Sequence, residues 1–180
     1  MMALTALLAL CACTAGEKIK DDALKYDPEG YKTLLDNALK LTANFDRKLL
    51  DKVSHPNETE YYINYYKEKD QDYIDLLKNE FNGIGEDYAE RYGDDWKLSY
   101  TVDSVEEKDA EGIENYKKFD SYYFKTYNIN TDDIQAVTFV KVTVHIEGSL
   151  GSNDKQKTIQ CFCIGGEWYS FYAIRLGIKL

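Results

Sequence analysis

From Tyr31 the apolar side chains fall at steps of three and four: Tyr31, Leu34, Leu35, Ala38, Leu41, Phe45, Leu49 and Val53. That spacing lines one face of a helix running to about Ser54. Asp27-Pro28-Glu29 would open it with an N-cap, a proline in the first turn and an acidic side chain against the helix dipole. Pro56 ends this stretch. Asn57 followed three residues later by Glu60 resembles a capping box, and Ile63, Tyr66, Tyr73, Leu77, Phe81, Ile84 and Tyr88 continue a second helical stripe to about Tyr92-Gly93. Gly83 and Gly85 are expected to kink or interrupt that second helix.

The period then changes to two. Trp96, Leu98, Tyr100 and Val102 alternate with Lys97, Ser99, Thr101 and Asp103, which reads as a strand with one buried face. A third helix is expected from about Asp109 to Asn128. Residues 134 to 147 form a β-branched strand with Val140, Val142, Val144 and Ile146 on one side and Lys141, Thr143, His145 and Glu147 on the other. Gly148 to Asp154 reads as a loop, and two further strands, about 156–164 and 167–176, flank Gly165-Gly166, a pair suited to a two-residue hairpin turn. The elements predict an α+β domain, with three helices packed on an antiparallel sheet of about four strands.

The hairpin fixes a register. Ile164 should face Glu167, and counting outward puts Cys163 opposite Trp168, Cys161 opposite Ser170 and Ile159 opposite Tyr172, with Phe162 opposite Tyr169 and Gln160 opposite Phe171 on the other face. Both faces are therefore apolar or aromatic. The face with Phe162, Tyr169 and Phe171 is either packed within the chain or offered to a partner, and on the second reading it is the expected interface of a homodimer.

The 180 residues are 44% hydrophobic and 30% charged, which excludes a disordered or low-complexity chain and suits one domain. A net charge of −10 with no basic run argues against nucleic acid as a partner. Ahead of the helices, Ala3 to Leu10 is an apolar run too short to span a bilayer and of the right size for a signal-peptide core. Leu10-Cys11-Ala12-Cys13, with leucine at −3 and a small residue at −1, resembles a bacterial lipobox. The resemblance implies cleavage after residue 12 and a lipid on Cys13, placing the protein on the outer face of a cell membrane with that lipid as its membrane contact. Met1-Met2-Ala3 supplies no positive charge, which suggests either a start further upstream or a weak signal. The expected organisation is a signal peptide at 1–12, a polar tether at 13–26 and a single domain at 27–180.

Little in the chain points to reaction chemistry. Cys161 and Cys163, two apart on a strand, would sit about 7 Å from one another, too far for a disulfide, and read as buried free thiols. His55 and His145 belong to no spaced Cys/His cluster, so no metal and no cofactor are expected. Asp103 and His145 lie on the polar sides of their strands, away from the helices. The 16 tyrosines are unusual, with Tyr61, Tyr62, Tyr65 and Tyr66 inside two helical turns and Tyr122-Tyr123 repeating the habit. Such rings suit sugar stacking, peptide contacts and subunit interfaces as well as ordinary packing.

The order of elements, together with Tyr92-Gly93-Asp94-Asp95-Trp96-Lys97-Leu98-Ser99-Tyr100 and the closing stretch Ile164 to Tyr169, resembles the nuclear-transport-factor-two-like (cystatin-like cone) superfamily and small lipoproteins of anaerobic gut Firmicutes. The resemblance implies a curved, cone-like sheet that encloses a pocket with the first helices. On this basis Trp96, Tyr100, Trp168, Ser170 and Tyr172 are the expected ligand-binding residues, converging below the first helix, unless Leu35, Leu39 and Phe45 fill that space. The expected function is a non-catalytic, lipid-anchored extracytoplasmic binding or interaction domain for a glycan or an apolar small ligand. The alternative is a cone-fold enzyme acting on a small hydrophobic or glycan substrate. A carboxylate or histidine buried in the pocket would favour the enzyme; a lining of aromatics and hydroxyls alone would favour binding.

Overall fold

The computed structural model describes residues 26–177. The expected signal peptide, Cys13 and all of the tether except Tyr26 lie outside the described residues. Tyr26 itself belongs to the fold, since its ring meets Trp168 edge-on at 5.9 Å.

The first long stripe is two helices, α1 (Tyr31–Ala43) and α2 (Arg47–Val53). Asn44 and Asp46 divide them. Both adopt extended backbone, and the Asp46 carboxylate accepts the Lys48 N–H and so caps α2. The second stripe also divides, into α3 (Pro56–Lys67) and α4 (Tyr73–Tyr92). The break comes at residues 68–72, well before the glycines expected to cause it: Asp70 takes a left-handed φ of 56°, and Asp72 accepts from the Ile74 and Asp75 N–H groups to start α4. Gly83 and Gly85 lie inside continuous helix. The cap of α3 is His55, whose Nδ1 accepts the Asn57 N–H, with Pro56 in the first turn. Asn57 instead donates from its side chain to the Asn128 carbonyl. The third expected helix is again a pair, α5 (Ala110–Phe119) and α6 (Ser121–Thr126), hinged at buried Asp120.

β1 (Lys97–Glu107), β2 (Ile134–Gly148), β3 (Gly151–Ile164) and β4 (Glu167–Tyr169) form one antiparallel sheet in sequence order. The loop expected at 148–154 is strand almost throughout, because β2 and β3 are joined by Ser149-Leu150 alone and pair from Gly148↔Gly151 onward. The end of α4 clasps this turn: the Tyr92 carbonyl accepts the Leu150 N–H and Asp95 accepts the Ser149 N–H. A β-carbon on Gly148 would collide with that carbonyl, so only glycine fits.

The Gly165-Gly166 hairpin has the predicted register, with Ile164↔Glu167, Cys163↔Trp168 and Phe162↔Tyr169. The last strand stops there, not at 176. Residues 170–172 leave the sheet and lead into a short 3-10 turn, Ala173–Arg175, so the expected pairs of Ser170, Phe171 and Tyr172 do not form.

Helices cover both faces. Under α1, α2 and α4 lies the larger core, with Leu34, Leu35, Ala38 and Leu41 meeting Val140, Val142, Val144, Ile146, Ile159, Cys161 and Cys163. Both cysteines are buried and free. On the opposite face α5 and α6 bring Tyr116, Phe124 and Tyr127 onto Val137, Phe162 and Phe171. This corrects the expectation of an open interface. Phe162 and Phe171 are buried by the chain itself, and half-buried Tyr169 packs on His55 at 4.9 Å between ring centres. The aromatic face is a second core because the 109–128 segment folds back over it.

Candidate functional site

The five residues expected to converge below the first helix are dispersed. Trp168 is buried between Tyr26 and Tyr31, and its Nε1 donates to the Asp27 carbonyl at 2.7 Å. Trp96 packs edge-on against Tyr88 at 5.5 Å. The Tyr100 hydroxyl donates to Asp36 at 3.0 Å and borders a shallow groove beside α1. Ser170 is buried, its Oγ accepting the Tyr172 N–H. Leucines of α1 fill the space beneath that helix. Of the five, only Tyr172 lines the aromatic cleft described next.

That cleft has a volume of about 320 Å³ and lies where α3, α4, α6 and the 171–175 segment meet. Tyr62 and Tyr66 come from α3, Tyr73 from the first position of α4, Tyr123 from α6 and Tyr127 from its C-terminal cap, and Phe171 and Tyr172 from the segment after β4. The walls are fixed by ring contacts: Tyr62 and Tyr66 stack on Tyr73 at 5.2 and 5.6 Å, and Tyr123 meets Phe171 at 5.3 Å. The Tyr62 and Tyr127 hydroxyls share a hydrogen bond of 2.9 Å. Burial raises the hydroxyl pKa of Tyr62, Tyr73 and Tyr127, so these groups are neutral donors and acceptors across the physiological range. The C-terminal wall is anchored from behind by Lys157, whose Nζ donates to the Arg175 and Leu176 carbonyls, and by the Tyr88 hydroxyl, which donates to the Gly177 carbonyl.

Glu58 also lines this cleft, from the first turn of α3. It is 7% exposed, and its Oε2 is buried without a hydrogen-bond partner. A carboxylate in the first turn of a helix is ordinarily favoured by the dipole. Here desolvation outweighs that effect and pushes the carboxyl up to about 8, so the group is mostly protonated at neutral pH. Glu80 and Arg175, both exposed and of opposite charge, stand at the rim.

Glu58 is not among the residues expected to bind, although the chain carries a signal for it: Glu58, Tyr62 and Tyr66 are spaced by four and share one helix face. The tyrosine pairs stand out in the sequence, whereas their meeting with Tyr73, Tyr123 and Tyr127 is a product of the tertiary fold. Asp103 and His145 sit on the outer side of the sheet, as expected. Asp103 accepts from Thr143 and Gln156, and His145 contacts Asp154 at 2.7 Å. Among the described residues there is no group of three or more His, Cys, Asp or Glu able to hold a metal, and no helix is long and apolar enough to cross a membrane.

The arrangement defines an α+β domain with an aromatic, hydroxyl-lined cleft and one buried carboxyl. No protein-family model, curated protein or solved structure matches the chain.

Proposed function

We propose that the protein is a small-ligand-binding domain held at the outer face of a cell membrane by a lipid on Cys13, with the tyrosine cleft as its binding site. The observation that carries this reading is the concentration of six tyrosines and Phe171 around one cavity at the edge of the second core. Large rings with hydroxyls directed at a cleft bury the faces of a ring-shaped ligand and still bond its polar edge. The cone-like arrangement is part of the same proposal, supported by the sequential antiparallel sheet and the helices packed on it.

Two measurements test it. NMR with ring-labelled tyrosine should show Tyr62, Tyr73 and Tyr127 shifting on titration with glycan fragments or benzyl alcohol while Tyr100 stays unmoved; an unchanged spectrum with the whole panel would refute the cleft. Fatty-acid labelling in the native host should place a lipid on the wild-type chain and none on Cys13→Ala. A freely soluble, unlipidated wild-type protein would refute the anchor.

A second reading, a hydrolytic enzyme for a small glycan, draws on Glu58, the kind of buried carboxyl expected to favour catalysis, because a carboxyl that is neutral at pH 7 can donate a proton to a leaving group; it stands second because glycoside hydrolysis ordinarily uses two carboxyls and the other one at this cleft, Glu80, is exposed at the rim. Turnover of aryl glycosides that disappears in Glu58→Gln would replace the binding reading with this one.

A further inference from the structure

We propose that the ligand of the tyrosine cleft is an organic ammonium ion, a protonated primary or secondary amine on an apolar or ring-shaped body, whose charge pairs with the carboxyl of Glu58. The inference rests on the cleft being the binding site and adds the chemical class of what it takes.

Glu58 is an acid without a counter-ion. None of the ion pairs among the described residues includes it, and no donor reaches its Oε2. Burying a carboxyl in this way costs several kcal/mol if it is ionised, and burying a polar oxygen without a donor is costly even when it is neutral. The chain does not recover this by packing, since the neighbouring side chains are tyrosines, Ser54, Leu77, Phe81 and Ile174 around an open volume of about 320 Å³. An N–H-bearing cation supplies both missing parts at once, a positive charge for the carboxylate and donors for its oxygens.

The surroundings favour the same class. Aromatic walls attract cations through their ring quadrupoles, and tyrosine hydroxyls accept from ammonium N–H groups. The net charge of −10 raises the local concentration of cations around the protein. The titratable or charged groups that line the cleft with Glu58 are Tyr62 and Tyr66 from α3, Tyr73 and Glu80 from α4, Tyr123 from α6, Tyr127 at its C-terminal cap, and Tyr172 and Arg175 from the C-terminal segment. Arg175 is the sole cation in that set, it is exposed at the rim, and Glu80 opposes it. His55, one turn before Glu58, has its ring on Tyr169 and its Nδ1 on the Asn57 N–H, and burial makes it harder to protonate. A neutral polyol would use the same rings and has no need of a buried acid.

Pairing moves a proton. The empty site holds Glu58 mostly neutral at pH 7, and an ammonium ligand stabilises the carboxylate, so the Glu58 proton leaves to solvent as the ion pair forms. The test is calorimetric titration of the full chain with benzylamine and with benzyl alcohol, which match in shape and differ in charge, at pH 7 in phosphate and in Tris. Benzylamine should bind at least tenfold more tightly than the alcohol, release close to one proton, and gain about ninefold in affinity from pH 6 to pH 7 and about fivefold from pH 7 to pH 8. Glu58→Gln should lose that advantage and the proton release. Equal affinities in the wild-type protein with no proton released would overturn the inference and leave the cleft as a neutral binding site. Failure of both ligands to bind, with the Tyr62, Tyr73 and Tyr127 signals unmoved, would overturn both readings. The proton count and pH profile of the wild-type protein decide the matter even where the variant is poorly folded.

Discussion

Replacing Glu58 with glutamine should abolish a pH dependence of stability that its burial creates. The carboxyl titrates near 4.5 when the chain is unfolded and near 8 in the folded state, with desolvation as the cause. A raised folded-state pKa means that the native state binds the proton more tightly than the unfolded state does, so the stabilising contribution is complete below about pH 4.5 and is lost as pH rises to 8. At about 1.4 kcal/mol per unit, the loss between pH 5 and pH 9 is about 4 kcal/mol, a large part of the stability of an ordinary domain. Glutamine has nearly the same shape and cannot ionise. Urea unfolding followed by tryptophan fluorescence, run in parallel on wild type and Glu58→Gln at pH 5, 7 and 9, isolates the effect, because contributions from other groups cancel in the difference. Those contributions include His55, lowered by burial, and Lys157, which burial and then Lys155 pull down to about 8. The variant should lie within about 1 kcal/mol of wild type at pH 5 and gain about 4 kcal/mol on it by pH 9. Parallel profiles, or a variant that falls further behind with rising pH, would refute the burial of an uncompensated acid.

Phe162→Ala should destabilise the fold by about 3–5 kcal/mol in urea, and Phe171→Lys should also destabilise it without altering the oligomeric state seen in light scattering, because both rings are core. Gly148→Ala, whose methyl group would meet the Tyr92 carbonyl, should cost about 3 kcal/mol, whereas Gly151→Ala, which meets nothing within 4 Å, should change the urea midpoint little. Cys161 and Cys163 should resist a thiol reagent in the native protein and react fully in denaturant, since burial raises both thiols, Cys163 to about 11.

What the sequence determined is what short-range pattern can determine. The β-branched alternation of 134–147 placed Val140, Val142, Val144 and Ile146 on one buried face, and all four are fully buried. Gly165-Gly166 set the closing hairpin and the pairing of Phe162 with Tyr169, because a two-residue turn allows one register. The helical stripes located the helices and not their breaks. Asn44-Phe45-Asp46 and Asp70-Gln71-Asp72 interrupt them through side-chain capping that preserves the apolar spacing across the break, so periodicity alone reads straight through. The tertiary structure decided the rest. Whether the second face of the hairpin met solvent, a partner or the chain itself depended on where the 109–128 segment docked, a choice among surfaces far apart in sequence. The candidate site arose in the same way. Glu58, Tyr62 and Tyr66 share a helix face that any sequence reading can find, but a face becomes a cleft only when Tyr73, Tyr127 and Tyr172 are brought to it from three other elements, and the packing that brings them also removes water from the acid and sets its charge.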